Sequence, residues 1–393
     1  MDYDIIHLPK DKWKGTTVPI GYTTNEYYDV DLRKNTSGFS IEIQKKKLTE
    51  PISHFPEEYD NPDKLYADYR ENAYAWGVFN EGELIAAMET DPEIWSNRLR
   101  ITEIWVREDH QKKGLGHELM EIAKEQARRE RRRCIILETQ SCNVNAIGFY
   151  QHEGFTLIGF DTCAYSNNDI NRKEVRFEFG WFPEKKVKIR PEEIEIRQET
   201  EADYHKVEAM TQRAFWNKHH LGCDEHYLVH KLRAHKDYLP ELSRIAVKDG
   251  EILGAIFYSK ANVTGKNGTH EVLTFGPLCV DPTWQGCGVG ELLIKETMQL
   301  AKEKGYKGII IFGEPDYYPR VGFKTCDHFS ITTSDGKNFD AFMAIELSEN
   351  SLEGLEGKFT YSEVFEDLPQ EEVEKHNRKF PLLKKQRYPG QWD

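Results

Sequence analysis

Residues 101–131 read ITEIWVREDHQKKGLGHELMEIAKEQARRER, and the rest of the chain is organised around them. The apolar, β-branched run Ile101–Val106 predicts a strand. A glycine-bearing loop follows from Gln111 to Gly116, and then Leu115, Leu119, Ile122 and Ala123 recur on one face at helical spacing. A loop that passes glycines straight into a helix N-terminus presents free backbone N–H groups and the positive end of the dipole, which suits phosphate oxygens. The same order returns at 272–304: strand Val272–Val280, turn Asp281-Pro282, loop Gln285–Gly290, and a helix bearing Val289, Leu293 and Leu300. Both loops have the form Gln-x-x-Gly-x-Gly. Neither ends in Gly-Lys-Ser/Thr, which disfavours a nucleotide P-loop. Each copy continues to a tyrosine four residues before the glycine of a Gly-Phe pair: Tyr150 before Gly154-Phe155, Tyr318 before Gly322-Phe323. The two spans differ by six residues, Gln111 to Tyr150 being 39 positions and Gln285 to Tyr318 being 33.

Length and composition agree with a repeat. At 393 residues the chain is long for one domain, and 38% hydrophobic with 12% aromatic residues is enough for packed cores. A net charge of −14 argues against a nucleic-acid surface. The seven cysteines (134, 142, 163, 223, 279, 287, 326) are odd in number and form no CxxC pair, which predicts reduced thiols in a cytoplasm, neither a disulfide framework nor a zinc site. The opening MDYDIIHLPKDKWKG is charged within four residues and does not read as a signal peptide. No apolar run approaches the ~18 residues of a membrane span.

Taken in order, Tyr27–Asp31 and Phe39–Ile43 alternate like strands, Lys45-Lys46-Lys47 reads as solvated surface, and Thr49–Asp63, with three prolines, reads as loop. Tyr74–Phe79 and Glu83–Glu89 flank the turn Asn80-Glu81-Gly82, a β-hairpin. Five arginines within 128–133 match a helix C-terminus. Cys134–Thr139 is a strand, Asn143–Gln151 a short helix, and Phe155–Asp161 and Val175–Trp181 closing strands. The charged stretch Phe182–Pro191, with prolines at 183 and 191, reads as a linker (184–192) between domains at 1–183 and 193–368. In the second part, Ile194–Arg197 predicts a strand, Thr200–Asp203 a helix cap, Ile245–Val247 and Ile252–Tyr258 a second hairpin, and Gly308–Phe312, Asp340–Glu346 and Gly357–Tyr361 strands. Residues 369–393 form a charged, partly helical tail. His219, His220, Cys223 and His226 match no ligand spacing and read as a pocket wall or plain surface, with no metal.

The two strand–loop–helix segments resemble the coenzyme-binding segment of the GNAT superfamily of acetyl-CoA-dependent N-acetyltransferases. Leu137-Glu-Thr-Gln140, Asn143, Asn145-Ala146, Phe149-Tyr150 and Gly154-Phe155 resemble the streptothricin acetyltransferase branch. The second half resembles a different GNAT subgroup, with a Tyr-Tyr-x-Arg-x-Gly-Phe element. The resemblance implies an α/β fold of two tandem domains, each a mixed, mostly antiparallel sheet flanked by helices. It implies acetyl-CoA as acyl donor, held by Gln111, Lys112, Lys113, Gly114, Leu115 and Gly116, and by Gln285, Gly286, Cys287, Gly288, Val289 and Gly290. Asn143 resembles the residue that hydrogen-bonds the pantetheine arm. A backbone N–H near Ile104, Trp105 and Val106, and in the matching stretch Leu278, Cys279 and Val280, would polarise the thioester carbonyl.

Acetylating an amine requires its neutral form. With a pKa near ~10.4, roughly one alkylammonium in 2,500 is deprotonated at neutral pH, so a proton acceptor is expected. Glu103, on the central strand where several GNAT families place a base, is the candidate; an ordinary exposed strand carboxylate is the bland alternative, and Glu138 and Asp161 are other choices. Tyr150 resembles the family's general acid and Tyr318 holds the matching place. The position matching Glu103 is Pro277, and Glu271, Glu314 or Asp316 are the open choices for a second base. The resemblance implies a small cationic amine acceptor, streptothricin-like, acetylated by direct attack in a ternary complex. A metabolite or protein amine stays open, as does a second half that only binds acyl-CoA or acts as scaffold.

Overall fold

The computed structural model describes residues 3–56 and 63–392. One unit runs to Lys185 and includes Arg387–Pro389; the other starts at Lys186. In the first, the elements are β1 (Ile5–Leu8), α1 (Lys10–Trp13), β2 (Tyr22–Asn35), β3 (Gly38–His54), β4 (Tyr74–Asn80), β5 (Glu83–Glu93), β6 (Arg98–Val106), α2 (Leu115–Arg129), β7 (Cys134–Gln140), α3 (Val144–His152), β8 (Thr156–Asp161), α4 (Asp169–Arg172) and β9 (Arg176–Trp181). Seven strands form a sheet in the order β1-β4-β5-β6-β7-β9-β8. Every pair is antiparallel except β6 with β7, whose connection runs through helix α2.

The sheet is buried on both faces of β4 and β5. Trp76, Val78, Ala86 and Met88 join the core beneath α2, while the alternate residues Ala75 and Ala87 join a smaller cluster with Leu8, Val18, Leu65 and Tyr66. The expected hairpin turn is present, with Glu81 and Gly82 both in the left-handed region (φ 52° and 84°) as a two-residue turn between twisted strands requires. Tyr388 adds to this core, and the Trp76 indole donates to the Arg387 carbonyl at 2.9 Å.

Among the described residues strands β2 and β3 form a ladder only with each other, and Tyr28 N of β2 donates to the Ser141 carbonyl at 2.9 Å. They correct one sequence reading. Thr49–His54, read as loop on account of Pro51, is the end of β3; residues 57–62 of that stretch lie outside the described residues. Pro51 has no N–H to offer, and it falls in the break of register between the pairs Thr24–Ile52 and Glu26–Lys47, where the ladder asks for none. Lys45 and Lys46 are exposed, as expected, and pair with Glu26 and Asp29.

The second unit contains β10 (Glu195–Arg197), α5 (Tyr204–Phe215), α6 (Glu225–Leu232), β11 (Arg244–Lys248), β12 (Glu251–Gly265), β13 (Gly268–Val280), α7 (Val289–Glu303), β14 (Gly308–Phe312), β15 (Lys324–Thr325), β16 (Ile331–Thr332), β17 (Phe342–Glu346), β18 (Gly357–Tyr361) and α8 (Gln370–Asn377). Its main path is β10-β11-β12-β13-β14-β17-β15, with β18 on β12 and β16. The central parallel pair, β13 with β14, is again joined by a helix, α7. At Thr200–Asp203 half of the expected capping box is formed: the Asp203 carboxylate accepts from the Thr200 N–H at 2.9 Å and also holds Arg197, while α5 itself starts at Tyr204 with no side-chain cap. Cys223 and His226, read as pocket wall or surface, are buried at 3% and 0% exposure, His226 Nδ1 lying 3.4 Å from the Cys223 sulfur. The tail is tied down, since α8 buries Val373 and His376.

Candidate active site

The site of the first domain begins where two strands part. β6 and β7 are in register only at Arg98–Arg100 against Cys134–Ile136. From Ile101 onward β6 stays paired with β5 as far as Val106, and β7 stays paired with β9 as far as Gln140. The edge of β6 at Ile104–Val106 that faces β7 is therefore without a strand partner among the described residues, and a gap opens between the two strands. A bulge between Glu89 and Thr90 sits at the same level of the sheet. In the second domain the parting is earlier, with Leu273 against Ile309 the one registered pair.

At the head of this gap lies the loop. Gln111 Nε2 donates to the Val106 carbonyl at 3.1 Å, tying the loop to the end of β6. Lys112 is left-handed at φ 60°, and Gly114, at φ 91°, is the N-cap of α2. Leu115 is buried, so the first turn is anchored in the core while its backbone N–H groups stay at the surface. Gly116 has no room to spare: a Cβ there would lie 3.0 Å from Cζ of Phe149. The second loop repeats each feature. Gln285 Nε2 reaches the Val280 carbonyl at 3.1 Å, Gly288 caps α7 at φ 95°, and a Cβ on Gly290 would lie 2.8 Å from the Tyr317 hydroxyl. Phe149 and Tyr317 therefore occupy one role, which makes Tyr150 and Tyr318 equivalent on geometry as well as spacing. Val289 and Cys287 are buried; Leu278 and Val280 pack beside the core, and the Cys279 thiol is buried against the Thr211 hydroxyl at 3.4 Å.

Glu103 stands on β6 opposite Glu89. Glu89 is satisfied, accepting from the Tyr66 N–H and from the Thr102 hydroxyl. Among the described residues none hydrogen-bonds the Glu103 carboxylate. Burial first, then the nearby carboxylates Asp63 and Glu89, push its carboxyl well above the usual range. Tyr150, at 6% exposure, packs against Phe155 and Phe179. Burial and then the charge of Glu103 raise its phenol, so it keeps its proton at neutral pH. The other carboxylates are engaged: Glu138 with Arg100 at 3.2 Å, Asp161 with the Cys163 N–H at 2.9 Å. Asn143 caps α3, its Oδ1 accepting from Ala146 N at 3.2 Å, which leaves its amide N–H₂ for other partners.

In the second domain the sequence places no carboxylate at the position of Glu103, and of the three open alternatives Asp316 is exposed. Pro277 occupies the place; Glu271 pairs with Lys260 at 3.1 Å and Glu314 lies 3.9 Å from Lys218. The Tyr318 phenol is raised by burial and then by Tyr317 and Glu314.

Four groups escaped the sequence reading, three because they are assembled from distant segments and one, Glu225, because its burial is not recorded in the sequence. His54 lies 3.6 Å from Glu174 and 3.7 Å from the Cys142 sulfur, beside the bond from Tyr22 to Gln140. Glu225 at the start of α6 has its carboxyl raised to about 8 by burial and then by Asp224. Two clusters with metal-ligand chemistry, Glu208–His230–His376 and His117–Glu121–Glu153, each hold a cation already: Arg233 sits on Glu208 and Lys124 on Glu153.

The comparisons decide the family. The model of the acetyltransferase (GNAT) family matches residues 41–155 and again 204–323, together more than half of the chain. The chain belongs to the GNAT family of acetyltransferases. It is similar to the uncharacterized N-acetyltransferase YhbS of Escherichia coli strain K12, at 29% identity over 43% of this chain and 97% of that protein. A streptothricin acetyltransferase of Escherichia coli matches at 30% over 41% of this chain and 85% of the relative. Among solved structures, YhbS in complex with CoA matches at 25% identity and TM-score 0.40, over 48% of this chain and 98% of that one. Two GNAT domains in one chain, as the repeated loops imply, are thus established, and the chain is an N-acetyltransferase. No described helix is long and apolar enough to cross a membrane.

Proposed function

We propose that the first domain acetylates a primary amine of a small cationic acceptor, taking the acetyl group from acetyl-CoA by direct attack in a ternary complex. The observation that supports this reading is the Glu103 carboxylate, unpartnered among the described residues, near enough for its charge to act on the buried Tyr150 phenol, on the strand that leaves β7 after Arg100. The cradle fits the cofactor: free N–H groups at α2, glycines where side chains would collide, and Lys112 and Lys113 exposed for phosphate. Acetyl-CoA supplies an activated thioester. Glu103 takes the proton of the bound ammonium, directly or through water, so that nitrogen can form the C–N bond as the C–S bond breaks. The Tyr150 phenol holds the proton that the departing thiolate needs. The backbone at Ile104–Val106, free of β7, offers N–H groups for the developing oxyanion. The cluster of Glu103, Glu89 and Asp63 favours an ammonium over an anionic or neutral acceptor. The relatives named streptothricin acetyltransferase support an antibiotic of that chemistry, with a metabolite or protein amine as the alternative.

For the second domain, Pro277 in place of a carboxylate favours a module that binds acyl-CoA without amine chemistry of its own. Steady-state kinetics with streptothricin and with a polyamine, on wild type, Tyr150→Phe and Tyr318→Phe, tests both readings. Loss of turnover with Tyr150→Phe alone supports them. Equal loss from both variants overturns the assignment of chemistry to the first domain.

A further inference from the structure

The two loops differ in one respect that matters for an anion. Lys112 and Lys113 of the first are replaced by Gly286 and Cys287 in the second, and Cys287 is buried. The segment before the second domain makes up the difference. Ile189 donates its backbone N–H to the Cys287 carbonyl at 3.0 Å, laying residues 186–190 along the loop. The Lys186 ammonium donates to the carbonyls of Pro282 at 2.6 Å and Thr283 at 3.0 Å, and its stem passes 4.0 Å from where a Cβ on Gly286 would lie. The Lys188 charge acts on Glu291, in the first turn of α7. An ammonium has three N–H donors, so Lys186 has one left after its two carbonyls.

We propose that Lys186 and Lys188, from the segment joining the domains, are phosphate-binding residues of the second coenzyme site, supplying from outside the loop the two positive charges that the loop itself has lost. The inference rests on the reading that the second domain binds acyl-CoA. It also accounts for the loop's own sequence. Gly286 sits at φ 79°, and its lack of a side chain lets the Lys186 stem approach, where a lysine would meet a second cation. The ligand is identified by chemistry as a pyrophosphate or ribose phosphate ester carried on an acyl-CoA.

Calorimetry with CoA on the full chain tests it. Gly116→Glu removes the first site, and the remaining heat reports the second. In that background Lys188→Ala is expected to weaken CoA about threefold. Lys186→Ala with Lys188→Ala should weaken it at least tenfold and flatten the dependence of log Kd on log salt, because fewer counterions are exchanged. Lys186→Arg should restore binding. Lys188 makes no hydrogen bond to the loop among the described residues, so its effect separates charge from loop integrity, and unchanged thermal melting excludes unfolding. An unchanged Kd and salt slope in the double variant overturns the proposal while leaving the second site in place. No heat at all with Gly116→Glu alone overturns the underlying reading and the proposal together.

Discussion

Gln111 donates its side-chain amide to the carbonyl of Val106 at 3.1 Å, and Gln285 does the same to Val280 at 3.1 Å. In both domains the first residue of the loop motif therefore closes the loop onto the strand before it and fixes where the helix N-terminus stands. The glutamine is conspicuous in the motif for a geometric reason; it braces the cradle. Gln111→Leu removes a bond worth ~1 kcal/mol. The expected result is a roughly fivefold higher Kd for CoA in the Gly290→Glu background, with the protein still folded by circular dichroism.

Lys112 adopts φ 60°, whereas the matching Gly286 adopts φ 79° at no steric cost. A left-handed lysine costs on the order of 1 kcal/mol. Lys112→Gly should thus raise Tm by a few degrees even though it removes a charge from the cradle and weakens CoA binding. Scanning calorimetry beside a binding titration checks both signs, and a fall in Tm would show that the lysine makes a stabilising contact.

Glu103 acts as a base only when ionised, and its carboxyl is raised by burial and neighbouring carboxylates. The rate should climb with pH through that raised value and level off above it. Glu103→Gln should remove this limb and lower kcat/KM by about 10²–10⁴-fold. Because a raised carboxyl contributes stability below its unfolded pKa and loses it as pH rises through the folded one, the same variant should melt higher than wild type at pH 8. Higher activity with higher Tm would contradict the assignment.

Glu208 is the opposite case. Burial opposes its ionisation, but the His376 hydrogen bond and the charges of Arg233, His376 and His230 outweigh it and hold the carboxyl at about 2. Its contribution is present above the unfolded value near ~4.5 and is lost as pH falls towards 2, amounting to at most about 3 kcal/mol. Glu208→Gln should melt lower at pH 7, and its melting temperature should then depend less on pH between 5 and 3. Equal Tm at pH 7 would mean that α8 does not need this network.

The strand–loop–helix units were legible because each of their features is local: β-branched runs, glycines at positive φ, an amphipathic face. Gly357–Tyr361 and the hairpin turns at Glu81-Gly82 and Asp249-Gly250 were legible for the same reason. The end of β3 was not, since its prolines mimic a loop and the break in register that admits Pro51 depends on the pairing with β2. Asn143 shows the limit for side chains. Its position before a helix was readable, but that its oxygen is spent on the Ala146 N–H depends on backbone geometry. The approach of Lys186 to Pro282 and of His54 to Cys142 joins residues nearly a hundred positions apart, and no periodicity records such a pairing.

The most direct measurement is the stoichiometry of CoA binding to the full chain by calorimetry, with Gly116→Glu and Gly290→Glu alongside. A Cβ on either glycine would lie 3.0 Å or less from an aromatic side chain, Phe149 or Tyr317, so a glutamate there blocks the cradle by bulk and repels phosphate by charge. Two sites in the wild type, one lost with each variant, is the result expected of two working coenzyme cradles. A single site abolished by Gly116→Glu, with Gly290→Glu indistinguishable from wild type, would contradict it.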